Sequence, residues 1–203
     1  MNGMEKIVRA RVASWERGRI FFSDDFSDLE SQGSVRIALM KMASDGTTIR
    51  LARGIYCYPE FVGEYGSAKK LPSEESIAIA LAERERIRLI PYGDQAAYSL
   101  GLIGIRISDL KYITDGAPRK IKLAKGRCIH FNHTSEVKIF DFCNPTMQLI
   151  SSAIRTLGAD RIGPEEKRKI RAVLSKVPEE DYLKDITIPP AWVQEIIREI
   201  RER

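Results

Sequence analysis

The sequence predicts an α+β protein: an N-terminal winged helix-turn-helix, then a mixed α/β domain with a small antiparallel sheet and C-terminal helices. The first observation behind this prediction is an apolar stripe at helical spacing, which indicates a helix over residues 34–43 with one buried face. The second is a pair of strand patterns, 48–52 and 55–58, that meet at a glycine and indicate a hairpin. The third is a run of turn signals between strand patterns at 111–131. The stripe consists of Val35, Ala38, Leu39 and Met42.

The elements before this stripe complete the winged-helix order. Residues 4–15 predict a first helix, with Ile7, Val8 and Val12 on its apolar face. Residues 19–22 predict a strand, and a brief helix over 24–29 follows, with Ser23 as its N-cap. Residues 30–34 supply a turn, and Ser34 is the predicted N-cap of the second helix of the helix-turn-helix.

A winged helix reads DNA by placing that second helix in the major groove, where exposed side chains contact base edges and flanking cations contact phosphates. The basic tip of the hairpin suits a phosphate backbone. A charged helix face is also what solvent exposure alone produces, and winged helices serve as protein docking modules, so both alternatives stay open. The groove-facing candidates are Ser31, Gln32, Ser34, Arg36, Ile37 and Lys41, with Arg50 and Arg53 on the hairpin.

A stretch rich in proline and glycine, residues 59–72, is typical of a linker. It divides the chain into a predicted DNA-binding domain of residues 1–62 and a second domain of residues 63–203. The second domain is expected to begin with a helix over 74–85, capped by Ser73, and to continue with a strand at 88–91 and a short helix at 94–100.

The hairpin-rich region carries the most basic stretch of the second domain. Alternation places Lys120 and Lys122 on the outward face of their strand. Three explanations remain open: a solvated sheet face, a surface for an acidic partner, or an edge strand protected by its charges. The cations of this second basic surface are Arg119, Lys120, Lys122, Lys125 and Arg127.

Residues after Pro145 predict packing helices. One apolar stripe runs over 147–157, a second helix begins at Pro164, residues 186–190 are extended, and a last helix covers 191–203. The stripe predicted for that last helix consists of Trp192, Ile196, Ile197 and Ile200.

We expect a cytoplasmic protein with no cofactor. The net charge of +5 suits a polyanionic partner without proving one, and no apolar run reaches the length of a membrane span. The three cysteines, Cys57, Cys128 and Cys143, are odd in number and widely spaced, so no disulfide framework is indicated. Cys128, His130 and His133 spell C-x-H-x-x-H, but alternation puts residue 133 on the opposite face of a strand, so we predict no metal.

Five segments together resemble the AbiEi-type antitoxins, over roughly residues 4–140. The resemblance implies a winged-helix DNA-binding domain followed by an antitoxin domain, and a type IV toxin-antitoxin system with abortive infection as its setting. It further implies a repressor that binds its own promoter DNA and a nucleotidyltransferase toxin as functional partner. The segments read FFSDDFSDLESQGSVRIALMKMASDG, GTTIRLARGIYCYP, GDQAAYSLGL, KYITDGAPRKIKL and HFNHT.

No enzymatic motif is present in the sequence, which lacks G-x-x-x-x-G-K-[ST], G-x-G-x-x-G, G-x-S-x-G and H-E-x-x-H. We therefore expect a non-catalytic protein. Two functions of different classes remain: a DNA-binding antitoxin that represses its own operon, and a protein-interaction module that uses the winged helix as a scaffold.

Overall fold

The computed structural model describes residues 3–63, 68–104, 109–124 and 126–202. The chain forms two compact units, the first of residues 1–81 with 121–127 and the second of residues 82–120 with 128–203. The domain boundary expected between residues 62 and 63 therefore falls inside the first unit. Over the described ranges the fold is mixed α+β, with eight α-helices and three small sheets. None of the helices described is both long and apolar enough to cross a bilayer.

The first unit begins with an antiparallel sheet of strand order β1-β3-β2 and two helices. Helix, strand, short helix, helix and hairpin follow one another as in a winged helix, and the fold is compatible with one. The elements are α1 (Gly3–Ala13), β1 (Ile20–Phe22), a 3₁₀ helix (Ser23–Phe26), α2 (Gln32–Ser44), β2 (Ile49–Ala52) and β3 (Ile55–Cys57).

The core of this unit is built on the predicted stripe of α2, all four residues of which are buried. Aromatic rings from β1 and its surroundings fill the space beside it, with the Trp15 and Phe21 ring centroids 5.1 Å apart. The predicted face of α1 is partly wrong, because Ile7 is 49% exposed while Val8 and Val12 are buried. Glu5, Val8 and Val12 at i, i+3 and i+7 form the inner face instead.

The turn before α2 differs from its prediction. In place of the expected helix over 24–29 there is a shorter 3₁₀ helix, Ser23–Phe26, and Asp25 rather than Ser23 caps it by accepting the Phe22 N–H at 2.9 Å. Helix α2 starts at Gln32, two residues earlier than expected. Ser31 is its N-cap, and the Ser31 hydroxyl accepts the Ser34 N–H at 3.3 Å. Several serines fall near this helix start, and extended backbone at Ser31 selects it as the cap.

The predicted hairpin is confirmed: β2 and β3 are antiparallel, and Gly54 at the turn has a positive φ of 74° that favours glycine. The predicted linker, however, contains a second hairpin. Strands β4 (Glu60–Val62) and β5 (Ala68–Lys70) pair antiparallel, and Lys70 forms an ion pair with Glu60 at 2.9 Å. Residues 64–67, which include Gly66 and Ser67 of the expected linker, lie outside the described residues.

Helix α3 (Glu74–Glu85) is capped as predicted, since the Ser73 hydroxyl accepts the Ser76 N–H at 3.1 Å. The unit boundary falls within this helix, after Leu81. The elements that follow are β6 (Leu89–Pro91), α4 (Asp94–Ser99), β7 (Leu110–Thr114), β8 (Arg119–Lys122), β9 (Cys128–His133), a 3₁₀ helix (Val137–Phe140), α5 (Pro145–Leu157), a 3₁₀ helix (Ala159–Arg161), α6 (Pro164–Leu174), α7 (Glu179–Asp185) and α8 (Ala191–Glu202).

The sheet of the hairpin-rich region is mixed, so the prediction of an antiparallel sheet is wrong in part. Its strand order is β6-β7-β9-β8, with β6 and β7 antiparallel but β7 and β9 parallel. Leu110 stands opposite Ile129, and Thr114 opposite His133. Turn signals indicate pairs of strands that are joined by a short loop. They do not reveal that β7 pairs with β9 rather than with β8, the strand that follows it in the sequence.

The C-terminal helices of the second unit form its core, with the α5 stripe buried as predicted. Helix α7 was not predicted, and residues 186–190 are turns rather than an extended segment. The buried Asp185 carboxylate accepts the N–H groups of Cys143 and Asn144, both at 2.9 Å, and ties α7 to the start of α5. On α8, Trp192 is 40% exposed, and Val193 takes the predicted inward place.

Two methionines of α2 give a matched test of this packing. Met42 is fully buried, whereas Met40 is 59% exposed on the same helix. We expect Met42→Ala to lower the free energy of unfolding by about 2–5 kcal/mol, because it removes buried methylenes and leaves a cavity. Met40→Ala should change it by less than about 0.5 kcal/mol. Chemical denaturation of both variants measures the difference, and equal effects would contradict the described register of α2.

Candidate nucleic-acid interface

Helix α2 has an outer face that combines one cation with two large apolar side chains. Arg36 is exposed, and Ile37 and Met40 are 58% and 59% exposed. These residues lie opposite the buried stripe, so the folded core leaves them available to a partner. Ile37 and Arg36 were candidates from the sequence. Met40 was missed, although its position three residues after Ile37 places it on the same face.

Three exposed arginines of the first unit have no partner among the residues that the structure describes. Within the described ranges the side chains of Arg36, Arg50 and Arg53 make no hydrogen bond or ion pair. Arg53 precedes the glycine of the β2–β3 turn, and Arg50 lies on β2 beside a cavity of about 390 Å³. An arginine without an internal partner keeps its donors available for a phosphate or a base edge.

Ser31, Gln32 and Ser34 hold the start of α2 rather than standing free. The Gln32 amide donates to the carbonyl oxygens of Phe26 and Leu29, both at 2.9 Å. The Ser31 hydroxyl also lies 2.9 Å from that of Ser34. These side chains fix the turn between the 3₁₀ helix and α2, and they remain at least partly exposed at the helix N-terminus.

Lys41 belongs to a charge network that joins α1 to the end of α2. Its ammonium lies 3.3 Å from the Glu5 carboxylate, which also contacts Arg9 at 3.1 Å. Arg9 in turn pairs with Asp45, the C-cap residue of α2. Lys41 is 57% exposed despite this pairing, so its charge is shared between the network and the helix surface.

The network sets the ionisation of its carboxylates. Burial of Glu5 opposes its ionisation, but hydrogen bonds from Arg9 and Lys41 outweigh that effect and lower the Glu5 pKa. Hydrogen bonds from Thr47 and from Arg9 hold the Asp45 pKa far below its ordinary value. Both groups are therefore charged at neutral pH, and α1 is held against α2 by opposite charges as well as by apolar packing.

The second basic surface expected from the sequence is only partly free. Arg119 pairs with Glu85 at 2.5 Å and Arg127 pairs with Glu74 at 2.6 Å. Lys120 and Lys122 are exposed on their strand, as predicted. The unit boundary falls between them, after Lys120, so these cations are divided between the two units. Lys125 lies outside the described residues.

The sequence matches the model of a family of unknown function (DUF6088) over residues 7–182. The chain belongs to the DUF6088 family. That family's description names no antitoxin. This DUF6088 protein is also similar to the crystal structure of the RV2827C protein from Mycobacterium tuberculosis, at 12% sequence identity and a TM-score of 0.47. The similarity covers 98% of this chain and 82% of that one. Comparison with curated proteins gives no match.

The charge network predicts how acid affects stability. The folded pKa of Glu5 lies below its ordinary value of 4.5, so its ion pairs stabilise the fold fully above that pH and are lost as pH falls through the lowered pKa. We expect Glu5→Gln to lower the Tm most at pH 7, and the difference from wild type to shrink towards pH 3. Thermal unfolding across that range measures it.

Glu30→Gln is the matched control for this measurement. Glu30 is exposed in the turn before α2 and forms no ion pair within the described part of the chain. Its replacement should leave the Tm close to wild type at every pH. A Glu5→Gln deficit that stays constant or grows on acidification would show that the carboxylate does not stabilise the fold through its charge.

Proposed function

We propose that the protein is a non-catalytic DNA-binding antitoxin that represses its own operon. In this proposal α2 is the recognition helix, the β2–β3 hairpin is the wing, and double-stranded promoter DNA is the ligand. The observation that carries the DNA half is the outer face of α2, where Arg36 has no partner within the described residues and two apolar side chains flank it.

The chemistry of this face suits the major groove. An arginine makes paired hydrogen bonds to guanine, and apolar side chains contact the methyl group of thymine. Arg36 supplies the first kind of contact, and Ile37 and Met40 supply the second. The N-terminal serines of α2 lie where a helix reaches a phosphate with its backbone N–H groups.

The hairpin extends the proposed contact to the DNA backbone. Arg53 at its turn is exposed and unpaired within the described ranges, and a wing cation of this kind neutralises a phosphate. Arg50 contributes similarly from β2. Arg119 and Arg127 already have carboxylate partners, so we assign them no DNA contact.

The antitoxin half rests on the resemblance to the AbiEi-type antitoxins. The proposed functional partner is a nucleotidyltransferase toxin encoded beside this protein, and we assign its neutralisation to the predicted second domain of residues 63–203. The second unit has a separate apolar core formed by its C-terminal helices, which supports a role distinct from DNA binding.

A protein-interaction module is the second candidate function, and one observation favours it. Ile37 and Met40 expose apolar surface that would also suit a protein partner. The two candidates differ in their salt dependence. DNA binding releases counterions and weakens steeply as salt rises, whereas an apolar protein contact does not.

Substitution of Arg36 tests the DNA half. We expect Arg36→Ala to weaken binding to the protein's own promoter by about 1–3 kcal/mol if the arginine reads a base, with less discrimination against unrelated duplex. If it contacts a phosphate instead, affinity should fall for every duplex and the salt slope should drop by about 1. Lys41→Ala should have a smaller effect, because Glu5 already shares that charge. Fluorescence anisotropy at two salt concentrations distinguishes these outcomes.

Arg168→Ala is the matched control, since it removes the same charge from an exposed position on α6 of the second unit. It should leave promoter affinity nearly unchanged. If Arg36→Ala and Arg168→Ala bind the promoter equally well at both salt concentrations, α2 is not the recognition helix.

Growth rescue tests the antitoxin half with full-length protein. A fragment of residues 63–203 would lack most of the first unit but keep residues 121–127, which belong to it. The better variant therefore combines Arg36→Ala with Arg53→Ala in the intact chain. We expect this double variant to lose repression of a promoter reporter while still rescuing cells that express the adjacent toxin. Both readouts come from the same strain, with protein levels checked by immunoblot.

The reciprocal variant carries Lys120→Ala and Lys122→Ala, the exposed cations of β8. Repression with reduced rescue would assign those lysines to neutralisation, and rescue with reduced repression would assign them to the DNA footprint. Loss of rescue together with repression in the Arg36/Arg53 variant would show that neutralisation requires the winged helix.

A further inference from the structure

We propose that Asp109, Cys128 and His130 form a binding site for one divalent ion of the zinc class. All three belong to the second unit, and their ligand atoms lie within 4.8 Å of one another. The site is independent of the proposed DNA and toxin functions, and nothing in those functions requires it.

The parallel pairing of β7 and β9 brings these residues together. Leu110 is opposite Ile129 and Lys111 is opposite His130, so Asp109 falls beside Cys128 at the start of the two strands. Cys128 and His130 are two residues apart on β9 and share one face of the sheet. A carboxylate, a thiol and an imidazole therefore converge on one side of adjacent strands.

The spacing of the carboxylate and the imidazole is close to that of two ligands on one metal ion. The Asp109 Oδ2 and His130 Nε2 atoms are 3.1 Å apart. Oxygen, nitrogen and sulfur ligands around tetrahedral zinc lie roughly 3.3–3.7 Å from one another, given metal–ligand bonds of about 2.0–2.3 Å. The three ligand atoms lie within 4.8 Å of one another, so an approach of about 1 Å by the side chains would let one ion bind all three and replace the Asp109–His130 hydrogen bond.

The carboxylate is already held in a ligating position. Its Oδ1 atom accepts the backbone N–H of Cys128 at 2.9 Å, which leaves Oδ2 directed at the imidazole. That backbone hydrogen bond and the one to His130 lower the Asp109 pKa, so the group is anionic at neutral pH. Hydrogen bonds that orient a ligating carboxylate are a regular feature of metal sites.

The donor set selects the metal. Thiolate and imidazole ligands favour zinc and similar transition metals over magnesium or calcium, which prefer oxygen. On binding, the Cys128 thiol loses its proton to water and the sulfur forms the metal bond. Three protein ligands leave a fourth tetrahedral position for water. Lys120 lies close enough for its charge to lower the Asp109 pKa, and the same charge opposes a bound cation.

No metal was expected from the sequence motif C-x-H-x-x-H, because alternation along a strand puts His133 on the opposite face from Cys128 and His130. The His133 Nδ1 atom lies 2.9 Å from the Gly116 carbonyl oxygen, in a contact separate from the cluster. The third ligand comes instead from Asp109, which is distant in sequence and becomes a neighbour only through parallel strand pairing. His133 therefore provides a matched control, as the one other histidine of the chain.

Zinc and cobalt titrations of the full-length protein test the proposal. After treatment with a chelator, we expect one Zn²⁺ per chain in competition with a chromophoric chelator. We also expect Co²⁺ to give a thiolate-to-cobalt charge-transfer band and strong visible bands of tetrahedral geometry. Asp109→Asn, Cys128→Ser and His130→Gln should each weaken zinc binding by more than about 100-fold. His133→Gln and Cys143→Ser should bind as wild type does.

Asp109→Asn keeps an oxygen acceptor for the Cys128 N–H, so it is the variant least expected to disturb the fold; circular dichroism checks all five. Zinc should raise the Tm of wild type and of the two controls but not that of Asp109→Asn. Absence of stoichiometric zinc binding in wild type would overturn the proposal. So would binding that survives Asp109→Asn, or a cobalt charge-transfer band that depends on Cys143 instead of Cys128.

Discussion

Burial of one face of α2 is the constraint on which the first unit depends. Val35, Leu39 and Met42 have no contact with solvent, and the aromatic side chains of β1 and the 3₁₀ helix pack around them. When one face of a helix packs into the core, the residues on its opposite face are determined as well, because each residue is rotated by about 100° around the helix axis relative to the one before it. The exposed positions of Arg36, Ile37 and Met40 are thus a result of core packing. The packing that buries one face of α2 therefore also positions the proposed recognition surface.

The cations of the protein fall into two groups: those that form ion pairs within the fold, and those that have no partner among the described residues and can bind a ligand. Arg9 and Lys41 engage Glu5, and Arg119 and Arg127 engage Glu85 and Glu74. A net charge of +5 says nothing about this division, since it counts paired and unpaired groups alike. The unpaired arginines described in the first unit are few, and they lie on α2 and on the hairpin. This distribution, more than the total charge, makes a nucleic-acid ligand reasonable for the first unit.

Local sequence patterns predicted local structure well. Helix α2, the β2–β3 hairpin, the cap of α3 and the stripe of α5 all follow from spacing and capping chemistry within a few residues. The errors arose where tertiary contacts decide between similar local choices. Ser31 and Ser34 both lie near the start of α2, and the extended backbone at Ser31 makes that residue the cap. Pairing of β7 with β9, and with it the approach of Asp109 to Cys128, depends on strands that are separated in sequence. The ion pairs of Lys41, Arg119 and Arg127 likewise could not be predicted from the sequence, because their partners are distant along the chain.

The return of residues 121–127 to the first unit has a consequence for synthesis on the ribosome. The Ala124 N–H donates to the Leu51 carbonyl oxygen at 2.8 Å, and Arg127 pairs with Glu74 in the same unit. The apolar core around α2 draws only on residues that emerge early, so it can assemble first. The rest of that unit must wait until translation has passed residue 127. The nascent chain therefore carries an incomplete surface near β2 while α3 and residues 82–120 of the second unit are being made. Order of emergence, rather than the finished fold, sets when that surface is covered.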